Sequence, residues 1–393
     1  MPGFEMIGDE ELAQVREVFE KSGILFRHGF DGLRNGVYKV REFEQAFATR
    51  LGVADALAVT SGSAALRVAL AGLGIGPGDE VITQSFTFVA TVEAIIEAGA
   101  VPVCTEIDDT LNMDPADLER RITPRTKAVI AVHMLGIPAR LDRIAAICRA
   151  HGVALIEDTA WGCGARYNGR PLGTIGDLGT FSFDFAKTMT TGEGGMVVAR
   201  DAAVAARARA WHDHGHENNP KLPRWEDSRA GSGFNYRMME LQGAVGLAQL
   251  AKLDEVIAAQ RRNKAALKQA IADRPGIAFR AVPAGSEETA DALVFFVEDN
   301  ATARACREAL LAAGLGTKIL PEAITWHFAG TWDHMPSLVR AHGGALDRAF
   351  PASAARLARA VALPVVVKMA PDVPARVRAA LDGVLASNAP ARL

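Results

Sequence analysis

Two side chains in this sequence stand where a covalently held cofactor would need them. Asp158 closes the apolar run Val153–Glu157, and Lys187 follows the next such run, Thr180–Phe183. A carboxylate at the end of one buried strand and a lysine after the next is the layout that pyridoxal phosphate requires. The amine forms a Schiff base with the aldehyde, and the carboxylate keeps the pyridine nitrogen protonated so that the ring acts as an electron sink. Open α/β sheets bind ligands at the carboxyl ends of their strands, where Asp158 would sit. Each residue also has an ordinary reading, the lysine as a solvated surface group and the aspartate as a helix N-cap. Their combination with the glycine-rich segment Thr190–Gly195 strengthens the cofactor reading but leaves the ordinary one open.

Three further elements fit a phosphorylated, flat ligand. In Val59–Leu66 an apolar segment meets the small-residue turn Ser61-Gly62-Ser63, which opens a helix. Amide groups at a helix start form an anion site, although Ser is also an ordinary cap. Phe86 and Phe88 follow a strand and would either stack on a ring or fill the core. Asn235 and Arg237 start a helix after a long polar loop, Gly215–Gly233, and would serve as anion contacts or as caps and surface pairs. Two other clusters are set aside. Gly72–Gly78 lacks the GxGxxG spacing of a dinucleotide loop and reads as a turn. His212-Asp213-His214-Gly215-His216 lacks the helical pair of zinc motifs, so no metal is expected.

These residues need elements to hold them. Val81–Thr83, Pro102–Cys104, Ala128–Val132 and Val153–Glu157 read as buried strands, with helices near Phe88–Ala98 and Leu141–His151 between them. That alternation predicts an α/β fold with a large, mostly parallel mixed sheet flanked by helices. Thr180–Phe183 and Gly195–Val198 are close enough to include an antiparallel turn. A long helical stretch from Met238 to Ala272 is expected to break near Leu253. Beyond Pro275 come a strand at Ala292–Val297, a helix at Ala301–Ala313 and two closing helices, a smaller C-terminal α/β domain. The expected division is 1–253, a large cofactor-binding domain with an N-terminal segment, and 254–393, a connecting helix and the small domain.

Bulk properties narrow the class. A net charge of −3 gives no basic face for nucleic acid and no polybasic membrane anchor. No stretch approaches the roughly 20 apolar residues of a membrane span. The N-terminus lacks a signal-peptide pattern, and the 4 cysteines are widely spaced, which fits a cytoplasmic protein with reduced thiols.

The motifs TSGSAAL, PGDEVI followed by SFTFVAT, the pair Glu157-Asp158, GTFSF before Lys187, TTGEGG and NYRMMELQ, in this order, resemble the DegT/DnrJ/EryC1/StrS family of sugar aminotransferases. The resemblance implies a type I aminotransferase fold, pyridoxal phosphate bonded to Lys187, and Asp158 on the pyridine nitrogen. It implies Gly62, Ser63 and Ser182 at the phosphate and Phe88 on the ring. It also implies a homodimer with shared active sites, Asn235 reaching the neighbouring subunit's cofactor phosphate. Two departures stand out. Trp161 replaces the Gln or His usual three residues after the Asp, and an indole N–H only donates, so stacking or shape filling is expected there. Asp184-Phe185-Ala186 replaces a segment with His and Thr, so Asp184 is expected to read substrate.

The runs RHGFDGLRNGVYKVREFEQAFA, WHDHGHENNPKLPRWEDS and KILPEAITWHFAGTWDHM narrow the resemblance further. They are similar to family members that convert 8-keto-3,8-dideoxy-manno-octulosonate to its 8-amino form for lipopolysaccharide biosynthesis, with glutamate as donor and 2-oxoglutarate as co-product. On that reading Trp326 and His327 help form the sugar pocket. Arg27, Arg34 and Arg237 are candidates to hold a substrate carboxylate through a bidentate fork, against the plainer reading that they form ion pairs. A nucleotide-linked keto-deoxysugar is the alternative substrate. A dehydratase of this family would carry His in place of Lys187, and a non-enzymatic cofactor-binding regulator would not need the full set of Lys, Asp and phosphate contacts.

Overall fold

The computed structural model describes residues 2–219 and 221–385. Met1, Pro220 of the polar loop and residues 386–393 at the end of the expected small domain lie outside the described residues.

The element order bears out the α/β reading. After helix α1 (Lys39–Leu51) come strand β1 (Leu57–Val59), α2 (Gly62–Gly72), β2 (Glu80–Gln84), α3 (Val89–Glu97), β3 (Val101–Thr105), β4 (Thr126–Val132), α4 (Leu141–His151), β5 (Ala154–Asp158), β6 (Leu178–Ser182) and β7 (Gly195–Ala199). These strands form one seven-stranded sheet in the order β1-β7-β6-β5-β4-β2-β3. Only β7 runs against its neighbours, pairing antiparallel with β1 and β6. The central strands are buried along nearly their whole length, which explains their unbroken Val/Ile/Ala runs. Helix starts follow local chemistry. The Ser61 side chain caps α2 by accepting the Ala64 N–H, and Gly152 in a left-handed conformation ends α4.

Helix α5 (Glu240–Ile271) is continuous, so the expected break near Leu253 does not occur. No Gly or Pro interrupts it there, and Leu253 is buried against Phe181, Phe183 and Met196. Its glycines lie earlier, where Gly243 and Gly246 admit Val40 and Phe43 of α1 into close contact.

Beyond α5, a second sheet joins β8 (Ala278–Phe279), β9 (Ala292–Phe296) and β10 (Ala360–Pro364), all antiparallel. Strand β10 falls where the sequence suggested only closing helices; Ala-Val-Ala-Leu is ambiguous until it pairs with β9. Three helices, Pro336–Ala341, Pro351–Ala358 and α7 (Val373–Leu385), follow α6 (Asn300–Ala312) where two were expected. Along β9 the side chains alternate. Leu293 and Phe295 pack on α6, α7 and the end of α5. Ala292 and Val294 face a different core, shared with Phe86, Val132, Trp161, Leu320 and Phe328. That shared core sets the second sheet against the carboxyl ends of β2, β4 and β5.

Candidate active site

The carboxyl ends of β1, β2, β4, β5 and β6 converge on a cavity of about 450 Å³. Its lining includes Gly62, Ser63, Phe88, Asp158, Trp161, Ser182, Asp184, Lys187 and His327, together with Thr91 and Glu193. The structure thus brings together residues from five separate stretches of chain.

Asp158 is the last residue of β5, and alternation along the strand sends it and Glu157 to opposite faces. Glu157 accepts the amides of Gly173, Ile175 and Gly176 and so fixes the loop that leads into β6. Asp158 faces the cavity. Its Oδ2 accepts the Thr91 hydroxyl at 3.0 Å and its Oδ1 the Ala160 amide at 3.2 Å. Thr91 in turn accepts the Thr87 hydroxyl at 2.8 Å. Burial pushes the Asp158 carboxyl above its usual range, while Ala160, Thr91, Lys187 and His133 oppose that shift.

Lys187 ends a turn in which its N–H meets the Asp184 carbonyl at 3.0 Å. Asp184 also accepts the Ala186 amide. The surrounding loop is braced by Thr190, whose hydroxyl donates to the Phe183 carbonyl and whose amide donates to Gln249 of α5. The Lys187 Nζ lies 3.5 Å from the centroid of the Trp161 ring, and the Lys318 Nζ lies 4.7 Å from it. Burial lowers the Lys187 pKa to about 8, with Lys318 adding to the shift while Asp184, Asp291 and Asp158 oppose it. The amine is therefore partly neutral, hence nucleophilic, near pH 7.

The start of α2 packs against the end of β6 with no room to spare. A Cβ on Gly62 would lie 2.6 Å from Ser182 Cβ, and one on Gly195 would lie 2.2 Å from the Ser61 carbonyl oxygen. Among the described residues, the Gly62 and Ser63 amides make no hydrogen bond, so the first turn of α2 is a donor set for an anion, with Ser182 beside it. At the mouth, Phe88 lies 5.5 Å from the His327 ring and stacks at 6.3 Å on Trp326. Phe86, by contrast, is wholly buried core. His327 donates from Nδ1 to the Ala323 carbonyl, and burial lowers its pKa to about 4, so a neutral Nε2 acceptor remains.

These groups fit pyridoxal phosphate. The free amides of Gly62 and Ser63 with Ser182 would hold its phosphate, Asp158 its ring nitrogen, Phe88 a ring face, and Lys187 its aldehyde carbon.

Other expected site residues are placed elsewhere. Arg34 is fully buried, with Glu240 at 3.0 Å and the carbonyls of Phe26 and Gly29 as its partners. Arg27 binds Glu44 and the Ala58 carbonyl. Arg237 binds Asp213, which also holds His28 and Arg224. None of the three lines the cavity, and the ion-pair reading describes all of them. Asn235 is exposed and outside the cavity within its own chain, and Trp326 is exposed at its rim. In the histidine cluster His212 meets the Arg209 carbonyl and His216 meets Asp227. The 4 cysteines are buried and unpaired. Sequence reasoning missed Thr87 and Thr91, whose i,i+4 spacing at a helix start was a usable signal, and Lys318, whose partner Asp291 is apparent only in three dimensions.

A model of the DegT/DnrJ/EryC1/StrS aminotransferase family matches residues 7–382. The GDP-perosamine synthase of Caulobacter vibrioides is 45% identical over 222 residues, covering 56% of this chain and 58% of that one, so the match spans less than two thirds of the relative. The spore coat polysaccharide biosynthesis protein SpsC of Bacillus subtilis is 40% identical over 287 residues, 71% of this chain and 68% of that one. The crystal structure of an aminotransferase, TlmJ from Streptoalloteichus hindustanus, superposes with a TM-score of 0.83 at 29% identity and covers 97% of both chains. No helix among the described residues is long and apolar enough to cross a membrane.

Proposed function

Since the chain belongs to the DegT/DnrJ/EryC1/StrS aminotransferase family and is a pyridoxal-phosphate-dependent sugar aminotransferase of type I fold, we propose that its acceptor is a free keto sugar acid, 8-keto-3,8-dideoxy-manno-octulosonate. The product is the 8-amino sugar acid, and glutamate is the donor. When bound, the cofactor supplies the electron sink that lets an amino group pass from one carbon skeleton to another. Lys187 is both its covalent anchor and the base that moves a proton at the reacting carbon, a role its lowered pKa suits. Asp158, held by Thr91 and Ala160, keeps a positive charge on the ring nitrogen. Trp161 fills the cavity wall under the Lys187 amine.

The observation that carries the sugar-acid reading is the placement of the segment 318–335. It carries the sequence resemblance to enzymes of that substrate, and it puts His327 and Trp326 at the cavity mouth and Lys318 beside Trp161. A nucleotide-linked keto sugar is the second reading, favoured by the similarity to a GDP-perosamine synthase. Product masses decide between them. Amination of the free eight-carbon acid and not of GDP- or UDP-linked keto sugars is expected, and the reverse pattern would sink the sugar-acid reading.

The working form is proposed to be a homodimer with shared sites, Asn235 completing the phosphate site of the partner. In support, Trp225 and Phe234, on the same loop and turn as Asn235, are 84% and 61% exposed, an apolar surface that a second copy would cover. Mixing Lys187→Ala with Asn235→Asp subunits should restore activity in heterodimers; formation of heterodimers without activity would refute the sharing.

A further inference from the structure

The Lys187 side chain is buried, and among the described residues its Nζ makes no hydrogen bond and no ion pair. Burial and Lys318 work against a charge there, while Asp184, Asp291 and Asp158 favour it from beyond ion-pairing distance. His327 and Glu193 line the same cavity, and the His327 ring is neutral near pH 7. What the amine does meet is the face of the Trp161 indole, whose centroid lies 3.5 Å from Nζ. An indole attracts a cation at that distance through its π electrons, and more strongly away from water.

The indole is held firmly. Trp161 lies in the core shared by the two sheets, and its carbonyl accepts the Thr289 hydroxyl at 3.2 Å. The next residue, Gly162, leaves no slack: a Cβ there would lie 2.9 Å from Leu172 and 3.2 Å from His133. A second cation shares the ring. The Lys318 Nζ lies 4.7 Å from its centroid and is fixed by Asp291 at 2.5 Å. The kind of contact matters for a proton carrier. A carboxylate at Nζ would accept a charge-assisted hydrogen bond and hold the ammonium tightly. The indole face steadies the cation without such a bond, so the proton leaves with none to break.

We propose that the Trp161 indole face is the docking place of the Lys187 amine whenever that amine is not bonded to the cofactor, steadying it as a cation while Lys318, fixed on the same ring by Asp291, limits the hold. This rests on the reading of Lys187 as both anchor and proton carrier.

Ring fluorination tests it, because fluorine draws electron density from the indole face and barely alters its shape. Mono-, di- and trifluorinated tryptophan are placed at position 161 by suppression of a stop codon. In the full chain freed of cofactor, the acylation rate of Lys187 against pH, read by peptide mass, gives the midpoint at which its amine gains a proton. That midpoint should fall with each fluorine, by about one pH unit in total, or about tenfold in proton affinity. Trp161→Phe and Trp161→Leu give a second comparison that decides if the fluorinated chains do not fold. Both side chains are apolar, but only Phe keeps a π face, so its midpoint should lie above that of Leu. A midpoint indifferent to fluorine, or Phe and Leu variants that titrate alike, overturns the proposal. Borohydride reduction of the cofactor-loaded enzyme keeps the two readings apart. Cofactor fixed to Lys187, with a midpoint indifferent to the ring, refutes the docking alone. Cofactor fixed to another lysine refutes the anchor reading and the docking with it.

Discussion

Replacing Thr91 by Val removes one hydroxyl and little volume, and the consequence falls on Asp158. The Thr91 hydroxyl donates to Asp158 Oδ2 at 3.0 Å, and both side chains are buried. A hydrogen bond to a charged group is worth about 1.5–3 kcal/mol. Its loss destabilises the carboxylate and not the neutral acid. At about 1.4 kcal/mol per pKa unit, loss of this bond should raise the Asp158 pKa by roughly 1–2 units relative to the parent enzyme. In the proposed role Asp158 acts ionised, so activity should fall as pH drops through its pKa. The acidic limb of the kcat/KM profile should therefore move to higher pH by roughly 1–2 units, while the plateau above it persists. A merely structural loss would lower the plateau and leave the limb in place. An unmoved limb in a folded, cofactor-loaded Thr91→Val enzyme would refute the reasoning.

Three other outcomes follow from the geometry. Lys318→Met should raise the Lys187 midpoint from about 8, because Lys318 is one of the charges that lowers it; acylation rates of the apoprotein, read by peptide mass, report this, and a midpoint that falls would contradict it. Arg34→Met breaks a fully buried pair with Glu240, so a stability loss of about 3–5 kcal/mol is expected, seen in denaturant melts; a normal melt with a raised KM for the acid substrate would instead restore Arg34 as a substrate contact. Gly62→Ala forces a methyl against Ser182, and at about 1–3 kcal/mol of overpacking should weaken cofactor affinity by about tenfold in an equilibrium titration, with unchanged affinity counting against the cradle.

That Asp158 and Lys187 would meet at one cavity was legible because Asp158 closes the apolar run Val153–Glu157 and Lys187 follows the strand at Thr180–Phe183, and such strands end at the ligand edge of a parallel sheet. The sequence made the small-residue turn at Ser61–Ser63 legible because a helix start advertises its free amides. What it could not convey were partnerships across long separations. Arg34 stands in a polar stretch and reads as a surface cation until Glu240, buried beside it, is seen. Phe86 and Phe88 look alike in the chain, yet one lies in the core shared by the two sheets and the other at the cavity mouth. Strand β10 was hidden for a related reason. Its apolar run suits a helix as well as a strand, and only pairing with β9, residues 292–296, decides.

The reversed direction of β7 bears on how Lys187 can move. Strands β6 and β7 meet in register at Ser182 and Gly195, so the loop that carries the lysine leaves and returns at one rung of the sheet. That rung is pinned by one turn, with Gly62 at the start of α2 against Ser182 and the adjacent Ser61 carbonyl against Gly195. The lysine thus stands on a fixed pivot. In the proposed cycle its amine would travel between bonding and proton transfer on the reach of its own side chain, without movement of the rung that carries it.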